Sequence, residues 1–292
     1  MKILKRLAIG LGVLLALALA FAGWAMFRTY RVTHRTWDVT VRTVPIPADS
    51  ASLARGEHLV KAVGKCVDCH GEDLGGGIVF SDMPFGRLAA PNLTRGQGGV
   101  GALRNDVELV SAIRHGINGA RQPLAVMPAE AYQYFSDADL GAVIAYIRSV
   151  PPVDRTWPTR MFGPIATMLV ALDKMPLFPV VLVDHTREGM TFPAPDTTPA
   201  YGQYLANTGG CTSCHNPAMS GGGPGGPPGS PMPLNLTRGG IPQWTEADFV
   251  RVLREGTTPD GRHLDNNFMP WRSSGAPRGA RRDICRRGPR RR

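Results

Sequence analysis

Two five-residue segments constrain this chain more than anything else in it. Cys66-Val67-Asp68-Cys69-His70 and Cys211-Thr212-Ser213-Cys214-His215 each hold two thiols three positions apart, with a His directly after. That spacing reads as c-type haem attachment. The thiols can form thioethers to the two haem vinyl groups, and the adjacent His is then held beneath the iron as proximal ligand. Zinc could use two such pairs, but these begin at 66 and 211, 145 residues apart, and structural zinc pairs lie far closer. A thioredoxin-like dithiol should sit in an alternating strand and helix pattern, and none is visible. The motifs therefore call for two covalently bound haems.

A His-ligated haem iron needs its sixth position assigned. Each half offers a Met-Pro downstream, Met127-Pro128 and Met269-Pro270, 61 and 58 residues past Cys66 and Cys211. A thioether favours ferrous iron and raises the potential, which suits electron transfer. Met83-Pro84 and Met232-Pro233 follow Cys69 and Cys214 by only 14 and 18 residues, too soon for the chain to reach the other haem face. His58, His115, His185 and His263 are read as non-ligands. His58 aligns with Tyr204 in the other half, and His115 and His263 lie in polar stretches expected to be exposed.

The halves repeat. Arg55-Gly56-Glu57-His58-Leu59 precedes the first motif and Tyr201-Gly202-Gln203-Tyr204-Leu205 the second. Asn92-Leu93-Thr94-Arg95-Gly96 and Asn235-Leu236-Thr237-Arg238-Gly239 follow them. Asn105 to Glu108 and Thr245 to Asp248 then cap a helix in each half, ending near Gly116 and Gly256. Ser136 and Asp139 open one more helix in the first half, with Leu140, Val143, Ile144 and Ile147 on one face and Pro151-Pro152 at its end. The second half lacks it. From Arg272 the composition changes to Arg, Gly, Pro and Ala, which reads as a shifted reading frame or an equivalent truncation, with Cys285 incidental.

Leu7 to Phe27 is 21 residues without a charge, long enough as a helix to span roughly 31 Å, one bilayer core. Lys2, Lys5 and Arg6 precede it, and a short basic start stays in the cytoplasm. Ala20-Phe21-Ala22 resembles a signal-peptide cleavage site, but the apolar run continues past it, which favours an uncleaved anchor. Either way the body lies outside the cytoplasm. The net charge of +10 is misleading, because residues 272–292 hold nine Arg and one Asp, leaving +2 for the rest. No clustered basic face for nucleic acid is implied.

On the two attachment motifs, both Met-Pro sites, the Pro84-Phe85-Gly86 turn, both Asn-Leu-Thr loops and the Asp137 to Pro152 helix, the sequence resembles the class I cytochrome c family. More narrowly it resembles membrane-anchored multihaem cytochromes c that accompany periplasmic dehydrogenases or feed terminal oxidases. The resemblance implies an all-α architecture: two tandem class I cytochrome c domains behind an N-terminal transmembrane helix, with His70/Met127 and His215/Met269 as axial pairs. The expected division is an anchor at 1–30, domains at 50–153 and 200–271, a Pro-rich linker at 154–199 and a disordered Arg-rich tail at 272–292. The tail stands where the family's closing helix should be. The expected function is a dihaem electron carrier on the inner membrane, haem domains in the periplasm, passing single electrons between a dehydrogenase and a terminal acceptor such as an oxidase. No Ser/His/Asp set, paired acid site or phosphate loop suggests an enzyme. The rival is a dihaem peroxidase, which needs one iron with an open sixth position, whereas both halves here offer a Met.

Overall fold

A computed structural model describes residues 1–175, 177–187, 191, 196–223 and 230–275. Residues 276–292 of the Arg-rich tail, with Cys285, and 224–229 of the Gly-rich loop lie outside the described residues.

Helix α1 (Lys2–His34) carries the apolar run and stands out from the body; its apolar stretch is exposed along most of its length. It is the single helix among the described residues long and apolar enough to cross a membrane. Ala25, Thr29 and Thr33, one line at four-residue spacing, are its buried residues.

The first haem motif sits in a helical frame. Helix α2 (Ser50–His58), capped by Asp49, continues through a widened turn at Leu59–Val63 into the short helix α3 (Val67–His70). Helix α4 (Asp106–Val110) opens on a reciprocal cap in which Asn105 accepts from the Glu108 amide and the Glu108 carboxylate accepts from the Asn105 amide. It also ends in a widened turn, Ser111–His115, closed by Gly116 in the left-handed region. Helix α5 (Ala129–Tyr132) follows Met127-Pro128, and α6 (Asp137–Ser149) opens where Ser136 Oγ accepts from the Asp139 amide. Leu59, Val60, Leu74, Val110, Tyr132, Phe135, Leu140, Val143 and Ile144 make one buried core between these helices. Helices α2 and α6 cross in close contact, because Gly56 brings no side chain to the crossing: a Cβ there would lie 2.0 Å from the Ala142 carbonyl oxygen.

The expectation of an all-α chain needs correction. Strands β1 (Gly77–Asp82) and β2 (Gly86–Ala90) form an antiparallel hairpin about Met83-Pro84-Phe85, and β3 (Met161–Phe162) adds to the edge of β2. The chain is mostly helical with a small sheet.

The stretch expected as a linker is tied down. Asn92 Nδ2 donates to the Val153 carbonyl at 2.6 Å, Arg155 pairs with Asp73 at 3.0 Å, and Trp157 Nε1 donates to the Gly75 carbonyl at 2.8 Å. After β3, helix α7 (Pro164–Ala171) packs along α1, where Thr29 Oγ1 donates to the Thr167 carbonyl at 3.0 Å and Arg28 pairs with Asp173. Prolines broke the helical pattern in this stretch without leaving it loose. The first domain likewise begins before residue 50, since Val41, Val44 and Ile46 join its core.

His115 is also corrected. It is 4% exposed, its Nδ1 lies 3.2 Å from His185 Nδ1, and burial with His185 and Arg114 nearby pushes it down to about 4. Its polar sequence neighbours suggested exposure, but the residue covering it arrives from 70 positions away.

The second half runs α8 (Pro199–Thr208), α9 (Cys211–His215), α10 (Glu246–Glu255) and α11 (Trp271–Gly275). Helix α10 has the same reciprocal cap, Thr245 with Asp248, and the same left-handed glycine, Gly256, at its end.

Candidate haem-binding sites

Each attachment motif is one turn of helix, and this turn is what brings its three groups together. The Cys69 and His70 amides both donate to the Cys66 carbonyl, at 3.3 and 2.9 Å. Positions i, i+3 and i+4 share one helical face, so Cys66, Cys69 and His70 are neighbours on it. The thiols are free. Burial pushes the Cys66 thiol up to about 12 and raises Cys69 as well, so both are neutral near pH 7.

His70 is buried, and its Nδ1 lies 2.8 Å from the Pro91 carbonyl oxygen. A carbonyl only accepts, so Nδ1 carries the proton and Nε2 keeps its lone pair for a metal. Burial also lowers the His70 pKa, which favours the neutral, ligating form. The carbonyl is held in place in turn. Asn92 Oδ1 accepts from the Thr94 amide at 2.9 Å and from Thr94 Oγ1 at 2.8 Å, and Asn92 Nδ2 reaches the chain after α6. The Asn-Leu-Thr loop is thus the device that aims the carbonyl at the histidine.

The second half repeats this geometry bond for bond. His215 Nδ1 lies 2.8 Å from the Leu234 carbonyl oxygen. Asn235 Oδ1 accepts from the Thr237 amide at 2.9 Å and from Thr237 Oγ1 at 2.7 Å. Four residues past each histidine the backbone turns left-handed, at Leu74 (φ 55°) and Met219 (φ 57°). The carbonyls of these two residues accept from Leu93 and Leu236, both at 2.8 Å.

The segments leading to the two methionines match as well. Leu124 and Leu264 donate to Gly116 and Gly256 at 2.8 and 2.7 Å, and Ala129 and Trp271 donate to Met127 and Met269, both at 2.7 Å. Met127 is half-buried and packs on the core that also holds Cys66, Leu93 and Tyr132. Met269 is half-buried before the buried Trp271. Met83 and Met232, set aside on spacing, are 74% and 76% exposed. His263 is exposed and touches Trp271 edge-on, and His185 bonds to His115 and the Val180 carbonyl.

The thiols, the preset histidine tautomer and a half-buried methionine on the core fit a haem attached through Cys66 and Cys69, with His70 and Met127 available to its iron. The same donor set stands at Cys211, Cys214, His215 and Met269.

Residues 51–147 match the family model described as cytochrome c oxidase, cbb3-type, subunit III. The chain carries a class I cytochrome c domain. This cytochrome is 28% identical over 241 residues to a nicotinate dehydrogenase subunit of Pseudomonas putida, covering 78% of the chain and 19% of that protein. It is 28% identical over 250 residues to the fructose dehydrogenase cytochrome subunit of Gluconobacter japonicus, covering 75% of the chain and 48% of that protein. It thus spans about half the length of one relative and about a fifth of the other. Residues 1–199 are 68% of the chain, so both alignments run into the second half.

Contacts that join the halves of this cytochrome carry no sequence motif. Lys65, adjacent to Cys66, donates through Nζ to the Gly209 carbonyl at 2.9 Å, two residues before Cys211. Helix α5, directly after Met127-Pro128, packs on α9. Tyr204 Oη donates to Asp139 Oδ2 at 2.6 Å, tying α8 to α6. The two candidate sites therefore adjoin. The Pro91 and Leu234 carbonyls were also missed by sequence reasoning, although each directly precedes an Asn-Leu-Thr loop and the repeat could have revealed them.

Proposed function

We propose that this cytochrome is a dihaem electron-transfer protein, held in the inner membrane by α1 with its haem domains in the periplasm. It passes single electrons from a dehydrogenase to a terminal acceptor. The observation that carries the second haem is the repeated histidine-to-carbonyl bond, 2.8 Å in both halves. The dehydrogenase partner rests on the relatives, one from a nicotinate dehydrogenase and one the cytochrome subunit of a fructose dehydrogenase. Localisation rests on α1 and its basic start.

A bound haem supplies reversible one-electron exchange between ferric and ferrous iron. The protein's residues do the rest. Cys66, Cys69, Cys211 and Cys214 fix the group covalently. His70 and His215 offer Nε2 because Pro91 and Leu234 hold the Nδ1 proton. Met127 and Met269 fill the sixth positions, and the contact of α5 with α9 keeps the two sites adjacent for transfer between them.

The peroxidase alternative requires an open sixth position. Carbon monoxide added to the reduced holoprotein is expected to leave the Soret spectrum unchanged at both haems, and peroxide turnover is expected to be negligible. A carbon monoxide complex on either haem at rest would contradict the paired methionine ligation and favour the peroxidase reading.

A further inference from the structure

Residues 161–172 and 177–183 contain no charged side chain, yet much of their apolar surface is uncovered. Helix α7 buries Ala166, Val170 and Ala171 against the body, while Ile165, Met168 and Leu172 face outward at 37–41% exposure. The neighbouring turn exposes Val181 and Leu182 at 62% and 57%. A contiguous apolar patch of this kind marks a surface that something covers.

Its position says what. Val32 of α1 packs with Val170, Phe178 and Val180, so α1 leaves the body through this face. Thr29 bonds to Thr167 and Arg28 pairs with Asp173, which sets α7 level with Arg28 and Thr29. The apolar run of α1 ends at Phe27, one residue before that level. A bilayer that encloses Leu7 to Phe27 therefore has its boundary against the surface surrounding the exit of α1. That surface is α7 and the Val181-Leu182 turn. Arg28, Arg31 and Lys174 stand at the same level, where cations suit anionic headgroups.

We infer that the outer face of α7, with Val181 and Leu182, is a membrane-contact shelf that lies on the lipid interface beside α1. Such a shelf would hold the haem domains at a fixed height and tilt above the bilayer, rather than on a free tether. The inference rests on the reading of α1 as an anchor.

The test uses the full-length holoprotein with Cys285→Ser, in nanodiscs of phosphatidylethanolamine and phosphatidylglycerol with no partner protein. Single variants Leu172→Cys, Val181→Cys, Leu14→Cys and Leu103→Cys each carry a photoreactive benzophenone maleimide. After illumination, peptide mass spectrometry reads the mass shift of an attached phospholipid. The expected result is lipid adducts at 14, 172 and 181 and none at 103, an exposed residue of the first haem domain. Adduct at 14 alone would overturn the shelf, leave the anchor intact and free this face for a partner subunit. No adduct at 14 would overturn the anchor and the shelf with it. Equal yields at 103 and 172 would also overturn the shelf.

Discussion

Gly56→Val is expected to prevent the first haem domain from folding, whereas Gly202→Ala, at the matching place in the second half, is expected to stabilise its helix slightly. Both glycines precede a haem motif in the same repeated segment. At Gly56 a Cβ would lie 2.0 Å from the Ala142 carbonyl oxygen, 2.7 Å from its carbon and 2.9 Å from Tyr146 Cβ. Two of these are backbone atoms inside α6, so no side chain can swing aside. Overpacking of a tight contact costs roughly 3 kcal/mol, and more where backbone must move. Around Gly202 nothing lies within 4 Å of the added atom. With no steric cost, replacing a helical glycine by alanine gains about 1 kcal/mol. Thermal melting and the haem content of each variant, after coexpression with the haem-attachment machinery, would check both. The contrast has a structural origin: in the first half α6 crosses at this glycine, and in the second half no helix crosses there among the described residues.

Asp139→Ala is expected to damage both the first domain and its contact with the second half. Arg55 donates to Asp139 Oδ1 through Nε at 2.9 Å and to Oδ2 through Nη2 at 2.7 Å, a two-pronged pair between α2 and α6. Tyr204 Oη donates to the same Oδ2 and accepts from the Ser136 amide at 3.3 Å. Burial works against the Arg55 charge, and its bonds to Asp139 outweigh that and hold its pKa above the usual arginine value. Burial, followed by the Asp139 bond, likewise raises the Tyr204 hydroxyl. Removing the carboxylate leaves a largely buried guanidinium without its counter-charge, which costs about 3 kcal/mol. Tyr204→Phe removes the interdomain bond alone and should cost about 1 kcal/mol. Hydrogen exchange would separate the two. Asp139→Ala should deprotect α2, α6 and α8, and Tyr204→Phe should deprotect α8 only. Full protection of α2 in Asp139→Ala would contradict this assignment.

How much of this was legible follows from how local each signal is. The attachment turns at Cys66 and Cys211 are five-residue patterns, and the caps at Asn105, Ser136 and Thr245 are four-residue ones. Local spacing sets their geometry, so the sequence displays them. Met127 and Met269 were legible because the repeat places one Met-Pro at the same distance in each half and the decoys too near. The rest depends on distant partners. β3 is two residues long and exists only because β2 offers it an edge. His115 is buried by His185. The Lys65 bond to Gly209 and the Tyr204 bond to Asp139 span 144 and 65 positions and belong to one copy of the repeat each, so comparing the halves could not expose them.

The measurement that tests the dihaem reading most directly is covalent haem per chain. Pyridine haemochrome absorbance and intact mass would be taken on full-length protein made with the haem-attachment machinery, and peptide mapping would locate each haem. Two haems are expected, one on Cys66 and Cys69 and one on Cys211 and Cys214. A single haem confined to Cys66 and Cys69 would contradict the second site, despite the matched histidine, carbonyl and methionine geometry of the two halves.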